Sequence, residues 1–591
     1  MMKRRVQSLR CSHAGVAKRS SSIAAISIVY ALVFSQGTLA AEIEGTGDIK
    51  VRWDNTFKYS AAWRLNEADP YVANYSGAQP NTDFGDLSFS KGLINNRVDL
   101  LSELDLAYKN VGARVSGAAW YDDVYQKGSN AFPGLIPNTQ AALLGGPNNQ
   151  FPAATKKLMG RDAEIADAFA YGKFELGDQT LSLRVGKQTQ IYGETLFLGA
   201  NGIAAAQGPV DLIKAFSQPN AQFKEVAMPV GQISGTLALN PKLSVGAYYQ
   251  YEWKPLRLPA AGSYFSPADF VGAGADLLLT PFGCVPAGPQ NSPNCGSPGY
   301  PFNASTGAAT RGADFNGSNR GQWGTQIKFS YDDVDYGLYA VKYDDKAPIP
   351  VLNVGSIATG GGGFGGGVYN LMYARDITAY GASFSTVLLG ANVAGEISTR
   401  RNVGLAVPGD LIINSSVVNA DNKDNTPYAR GNSLHANFST IVLLPGNSIW
   451  SVASFVGELA FNRLLSVTYH PQQMFDPVSS THTRDSTFGR IVFQPEFFQV
   501  MPSVDLQLPV GIGYGISGRS EVVSVLPEHG GDFSLGLNAT IQGVWKAGLN
   551  YTTYFGSKGP ATSQSSVGPY ASYKQYYHDR DFVSLSIQRT F

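Results

Sequence analysis

Asp581-Phe582-Val583-Ser584-Leu585-Ser586-Ile587-Gln588-Arg589-Thr590-Phe591 closes the chain, and its alternation decides the fold. Val583, Leu585, Ile587 and Phe591 share one face, while Ser584, Ser586, Gln588 and Thr590 share the other. Side chains on a strand repeat every two residues, so this strand shows one face to an apolar medium and one to water. Arg589 sits on the apolar face. So near the terminus it lies at the interface, where its guanidinium reaches headgroups at small cost. A closing strand of this kind ending in Phe591 reads as the assembly signal of an outer-membrane β-barrel.

The opposite end agrees. Lys3, Arg4, Arg5, Arg10, Lys18 and Arg19 precede an apolar run from Ile23 to Phe34, and Thr38-Leu39-Ala40 stands before Ala41. This is the order of a cleaved secretory signal over residues 1–40, with an apolar run too short to span a bilayer. Cys11 leaves with it. The expectation is one barrel domain over 41–591, in the outer membrane of a Gram-negative bacterium.

Composition fits. The 591 residues include 66 Gly, 31 Phe and 30 Tyr with only 15% charged residues and a mean hydropathy of −0.10. Aromatics alternating with small polar residues average to neutrality in this way. Lys plus Arg equals Asp plus Glu at 45 each, so no global field favours nucleic acid. Cys284 and Cys295 remain in a Pro/Gly/Asn-rich stretch. Export to an oxidising compartment favours a disulfide, and a zinc pair is the weaker reading because no His lies beside them.

No other apolar run approaches helix-spanning length, which leaves strands to cross the membrane. Two-residue periods recur at 98–109, 243–253, 322–332 and 545–555, with Tyr or Trp near their ends where interface girdles want them. Short turns at Lys109-Asn110, Asn240-Pro241-Lys242, Asp332-Asp333, Gly390-Ala391-Asn392 and Pro502 would face the periplasm. Long irregular stretches at 122–163, 255–320, 344–373, 401–432 and 557–571 would face outward. The expected fold is an all-β transmembrane barrel of about 16 antiparallel strands, between 14 and 18. From Tyr192 to Pro219 the chain does not read as strand. It either folds into the lumen as a constriction or forms a long surface loop.

Several blocks together resemble one family. They include Gly85-Asp86-Leu87-Ser88-Phe89-Ser90-Lys91-Gly92-Leu93-Ile94-Asn95-Asn96-Arg97, Gly112-Ala113-Arg114-Val115-Ser116-Gly117-Ala118-Ala119-Trp120-Tyr121-Asp122, and Arg184-Val185-Gly186-Lys187-Gln188. Tyr249-Gln250-Tyr251-Glu252-Trp253-Lys254-Pro255 and Arg580-Asp581-Phe582-Val583-Ser584-Leu585 continue the likeness. The chain resembles the proteobacterial outer-membrane barrels catalogued as domain of unknown function 1302. The resemblance implies traffic of hydrophobic molecules across the envelope, alongside an inner-membrane exporter and a periplasmic carrier.

Three functions follow as expectations. The first is a channel or transporter for small hydrophobic or amphipathic molecules, without cofactor or metal. Its gating residues would be Glu194, Leu196, Phe197, Asp211 and Phe216. Its lumen would be lined by Glu103, Asp105, Arg114, Arg184, Glu252, Lys328, Glu396, Glu458 and Lys546, as a filter or as structural pairs. Leu196, Phe197, Leu198, Ile203 and Phe216 would offer apolar surface to cargo. The second is a phospholipase-like hydrolase using His435 with Asn437 and Ser439 on one strand face. Residues two apart lie roughly 7 Å apart, too far for direct Ser to His bonding without long-reach rotamers. The third is a docking barrel for an exporter. Partners would be outer-membrane lipid and the barrel assembly machinery.

Overall fold

The computed structural model describes residues 41–44, 48–73, 81–129, 149–218, 220–279, 308–353, 365–407, 409–471, 482–564 and 569–591. Cys284 and Cys295 lie outside them.

Among the described residues, eighteen antiparallel strands close into a barrel. In chain order they are β1 (Ile49–Arg64), β2 (Gly92–Tyr108), β3 (Val111–Asp122), β4 (Arg161–Leu176), β5 (Gln179–Gln188), β6 (Val230–Asn240), β7 (Leu243–Gln250), β8 (Gln322–Tyr331) and β9 (Val334–Tyr343). Then come β10 (Ile377–Leu388), β11 (Ala391–Gly404), β12 (Arg430–Leu444), β13 (Val452–Tyr469), β14 (Asp485–Met501), β15, β16 (Gly531–Ile541), β17 (Trp545–Phe555) and β18 (Phe582–Thr590). β15 runs in two pieces, Val504–Gln507 and Val510–Ser517, because Pro509 cannot donate to a ladder. Each strand pairs with its neighbours in sequence. The count is two above the sixteen read from periodicity and at the top of the expected span.

Closure is made by the C-terminal strand. β18 pairs with β17 on one side and β1 on the other, from Arg64↔Phe582 to Thr56↔Thr590. Asn55 and Phe591 then exchange both backbone hydrogen bonds, at 2.8 and 2.9 Å. Arg589 lies 5.1 Å over the Trp545 ring, so its charge rests on an aromatic face at the interface. The outward set elsewhere is apolar and exposed, including Leu106, Tyr108, Tyr249, Trp323, Ile397, Phe438, Leu459 and Leu549.

Eight short connections gather at one end and nine long ones at the other. The long connections are not irregular throughout. Leu277–Leu279, Ala308–Arg311, Ile349–Asn353, Gly365–Met372 and Ile412–Asn414 form a separate five-stranded sheet from three of them. Leu278, Ala309, Leu352, Tyr369 and Leu371 pack as its apolar core. The strands are three to eight residues long with mixed parallel and antiparallel pairing, so no sustained alternation announces them.

A buried charge cluster ties the long connections to β1. Arg64 Nη2 meets Asp86 Oδ1 at 2.5 Å and Asp579 Oδ2 at 3.2 Å, and Arg580 lies 3.7 Å from Asp86. Asp83 and Asp269 face one another nearby, from two different connections. Asp269 Oδ2 accepts the Asp83 and Phe84 amides at 3.1 and 3.2 Å. Burial pushes the Asp83 carboxyl well up, burial raises Asp269 to about 6, and burial followed by the Asp86 charge raises Asp579 to about 7. A carboxyl whose pKa rises on folding stabilises the fold below its ordinary range and stops doing so as pH climbs through the raised value. Amide exchange of 81–89 and 263–270, corrected for intrinsic rates, should therefore quicken between pH 5 and pH 8. Asp83→Asn, which removes the facing charge, should flatten that dependence; an unaltered pH profile in this variant would contradict the origin assigned to it.

Candidate functional site: the docked lumenal segment

The inward face of β11 carries Glu396, Ser398 and Arg400, that of β12 carries Ser433, His435, Asn437 and Ser439, and that of β13 carries Glu458, Ala460 and Asn462. All are buried, and register aligns them in rows: Glu396↔Asn437↔Ala460, Ser398↔His435↔Asn462 and Arg400↔Ser433. Their outward neighbours Ile397, Phe438 and Leu459 are exposed to the apolar side. A polar, buried inner wall needs something to bury it.

The covering element is the connection between β5 and β6. Glu396 accepts the amides of Glu194 at 2.8 Å and Ile203 at 2.7 Å. Glu458 accepts those of Leu196, Phe197 and Leu198 at 3.3, 2.6 and 2.8 Å, and the Asn437 side-chain amide at 2.9 Å. Arg400 donates to the carbonyls of Ala200, Asn201 and Gly202 at 3.1, 2.8 and 2.8 Å. A chain leaving its ladder inside a barrel has amides and carbonyls without partners. Here two carboxylates satisfy the amides and one guanidinium the carbonyls.

Asn201 is the pivot. Its amide nitrogen donates to Asn437 Oδ1 at 2.8 Å and to the Phe461 carbonyl at 3.0 Å. Its oxygen meets His435 Nδ1 at 3.1 Å and Asn462 Nδ2 at 3.2 Å. Leu198 packs with Ala460 and Phe488, with Phe197 against them. Two glycines let the backbone come so close. A Cβ on Gly193, whose φ is +90°, would collide with the Glu396 carboxylate, and one on Gly202 would stand 2.7 Å from its other oxygen. Gly193→Val adds left-handed strain to that collision and should leave residues 193–203 cleavable by added protease in folded barrels; full protection would show that the close approach is dispensable.

The rest of the connection is anchored elsewhere. Asp211 caps a short helix, α1 (Leu212–Ser217), by accepting the Lys214 amide at 3.0 Å. Arg257 binds Asp211 at 2.9 Å and Glu164 of β4 at 2.5 Å. Phe216 stacks edge-on with Tyr577, centroids 5.6 Å apart. Asn220 donates to Ser534 of β16 at 2.9 Å and accepts from Arg490 of β14 at 3.3 Å. Lys346 donates to the Ala206 carbonyl at 3.3 Å. The segment thus touches β4, β11 to β14 and β16. Within it, burial pushes the Glu194 carboxyl up, opposed by Lys328 of β8 at 3.8 Å.

The expected lining residues divide. Glu396 and Glu458 hold the segment. Glu103, Asp105 and Arg114 lie on the inward faces of β2 and β3, half-exposed: Arg114 pairs with Glu103 and lies 3.9 Å from Asp167, and Asp105 accepts from the Tyr171 hydroxyl at 2.9 Å. Arg184 lies 5.7 Å over the Phe169 ring, Lys546 is exposed on the inward parity of β17, and Lys328 reaches Glu194. Glu252 stands beyond the end of β7, accepting the Gly231 amide at 2.7 Å and pairing with Lys254 at 2.8 Å. Leu198 and Ile203 are buried, so these side chains are spent on packing.

His435 does bond a serine directly, contrary to the spacing argument. The partner is Ser433, at 2.8 Å from Nε2; side chains on one face lean toward each other far enough to meet. Arg400 and Asn462 have no place among the residues expected from the sequence, and Asn201 enters there only within the Tyr192 to Pro219 stretch. Parity marks Arg400 and Asn462 as inward, but only contact with a segment some 200 residues away gives them a role.

Residues 21–591 match a family described as "Protein of unknown function (DUF1302)". The chain belongs to this family. No curated protein matches it. Among solved structures it is similar to OccAB3 of Acinetobacter baumannii, at 9% identity over 92% of this chain and 99% of that one, with a TM-score of 0.39. It is also similar to the outer membrane channel DcaP of Acinetobacter baumannii (9%, 93% and 100%, 0.33) and to OccK2 (OpdF) of Pseudomonas aeruginosa in complex with glucuronate (7%, 92% and 98%, 0.34). At these scores the likeness transfers no detail to this family member.

Proposed function

We propose that the protein is an outer-membrane channel for small amphipathic molecules, closed by residues 192–218. One observation carries this reading: Glu396, Glu458 and Arg400 hold the segment's backbone on β11 to β13, several strands around the wall from the β5 and β6 strands that bear it. Its apolar outer belt and the secretory signal support the outer-membrane setting. The amphipathic cargo is supported by what the segment leaves uncovered. Inward residues of β1 to β5 stay partly exposed and are charged with both signs, including Arg97 and Asp99 at 2.7 Å, whereas a purely hydrophobic solute would find little apolar surface there.

The test is conductance and solute flux through the barrel in planar bilayers, with residues 193–203 replaced by a short glycine linker. Higher conductance is expected, and an unchanged value would remove the closure. The Ser433–His435–Asn201 chain favours a second reading, hydrolysis, but all three residues are fully buried and a carbonyl could not approach Ser433. Any lipid hydrolysis by the purified barrel should survive His435→Ala; its loss would restore the enzyme reading. Cooperation with an exporter and a periplasmic carrier stays a proposal drawn from resemblance.

A further inference from the structure

The short-turn end of the barrel is two-faced. Between β2 and β9 its turns are polar: Lys109-Asn110, Gly177-Asp178, Pro241-Lys242 and Asp332-Asp333. Between β10 and β15 they are apolar and bare. Leu389 is 99% exposed at the β10–β11 turn, Leu443 and Ile449 are 68% and 67% exposed at the β12–β13 turn, and Met501 is 61% exposed at the β14–β15 turn. Leu389 also takes φ +51°, at a position where Lys109 and Asp332 serve the other arc. A left-handed conformation is unfavourable for a residue with a Cβ, and full exposure of leucine offsets none of it. Large exposed apolar patches mark interaction sites.

Bilayer lipid does not account for the whole patch. Val387, 67% exposed, has the parity of the buried Ala379 and Ser383, and Leu443 has that of Ser433 and His435. Both therefore point into the mouth, away from lipid. Over residues 385–395, 440–453 and 494–509 the only charged residues are Glu496 and Asp505, so the arc is apolar with acidic charge alone. Successive apolar turns are two strands apart, roughly 10 Å. A helix repeats one face at about the same distance every seven residues.

We infer that this arc of the periplasmic mouth is a docking surface for an amphipathic helix of a protein partner, with an apolar stripe seated on Leu389, Leu443, Ile449 and Met501 and lysines or arginines flanking it. The orientation rests on the outer-membrane reading above.

A synthetic helical peptide of about sixteen residues, with leucines at i, i+3, i+7, i+10 and i+14 and lysines on both flanks, is the probe. Its binding to the full chain in nanodiscs is read by fluorescence anisotropy. Tenfold or greater weakening is expected for Leu389→Asp/Ile449→Asp/Met501→Asp, and also for the same leucine stripe flanked by glutamates. Equal binding to the triple variant, or none to the parent chain, would overturn the surface. So would self-association of the parent chain in sedimentation that this variant abolishes, since the occupant would then be a second copy. Heat-shifted mobility on gels checks that the variant is folded; if it is not, Leu389→Asn alone, expected to weaken binding measurably, takes its place. Unchanged conductance of the folded variant separates failure here from failure of the channel reading.

Discussion

Replacing Glu396 and Glu458 together by alanine should raise the single-channel conductance severalfold and expose residues 193–203 to protease. The two carboxylates accept five backbone amides of the segment, and charge-assisted bonds contribute about 1.5–3 kcal/mol each. Their removal leaves those amides without partners, at about 1–3 kcal/mol apiece when buried, and the alternative available to them is lumenal water. The barrel itself should persist, because neither side chain takes part in a backbone ladder. Each single variant should fall between parent and double, since the two sites hold adjacent parts of one strand of chain. A parent-like conductance with the segment newly cleavable would mean that docking and closure are separate properties.

Arg64→Ala is expected to have the largest effect on stability, and at the other level of the molecule. The guanidinium is fully buried at the top of β1, bonding Asp86 and Asp579 and donating to the carbonyls of Asp86 and Phe89 at 2.8 Å each. Removing one partner of a buried pair costs about 3–5 kcal/mol because the other charges stay buried and uncompensated. The loss should appear as early unlatching of residues 81–91 and 569–581 in hydrogen exchange, ahead of barrel unfolding. It should be smaller at pH 5 than at pH 8, where Asp579, raised to about 7 by burial, is ionised. A shift confined to the global transition would contradict the idea that this cluster secures the outer connections.

The barrel was legible because its physics is local. Each strand needs only a period of two, and Val98 to Lys109 or Trp545 to Phe555 displays it without reference to any other segment. The alternation is not continuous in every strand: β15 is interrupted at Leu508-Pro509, so strand number is less legible than strand type. The lumenal segment was half legible. A run rich in glycine and small residues between two good strands cannot be strand, yet composition does not distinguish lumen from surface. That choice depends on Glu396, Arg400 and Glu458, about 200 residues or more further along. The same distance explains the treatment of Leu198 and Ile203, which composition presents as free apolar surface and the fold buries against the wall. The outer five-stranded sheet was illegible because its strands are short and drawn from three separate connections.

The segment's position and the channel's permeability can be joined in one measurement. With Asn201→Cys and Asn437→Cys introduced into the Glu396→Ala/Glu458→Ala chain, the two thiols replace side chains that lie 2.8 Å apart and can be bridged by a short bis-methanethiosulfonate, each thiolate forming a disulfide with one end of the reagent and displacing a methanesulfinate. If residues 192–218 close the lumen, bridging should return the raised conductance to the parent level, and reduction should restore it. Conductance indifferent to the bridge, with bridging itself complete, would contradict closure by this segment.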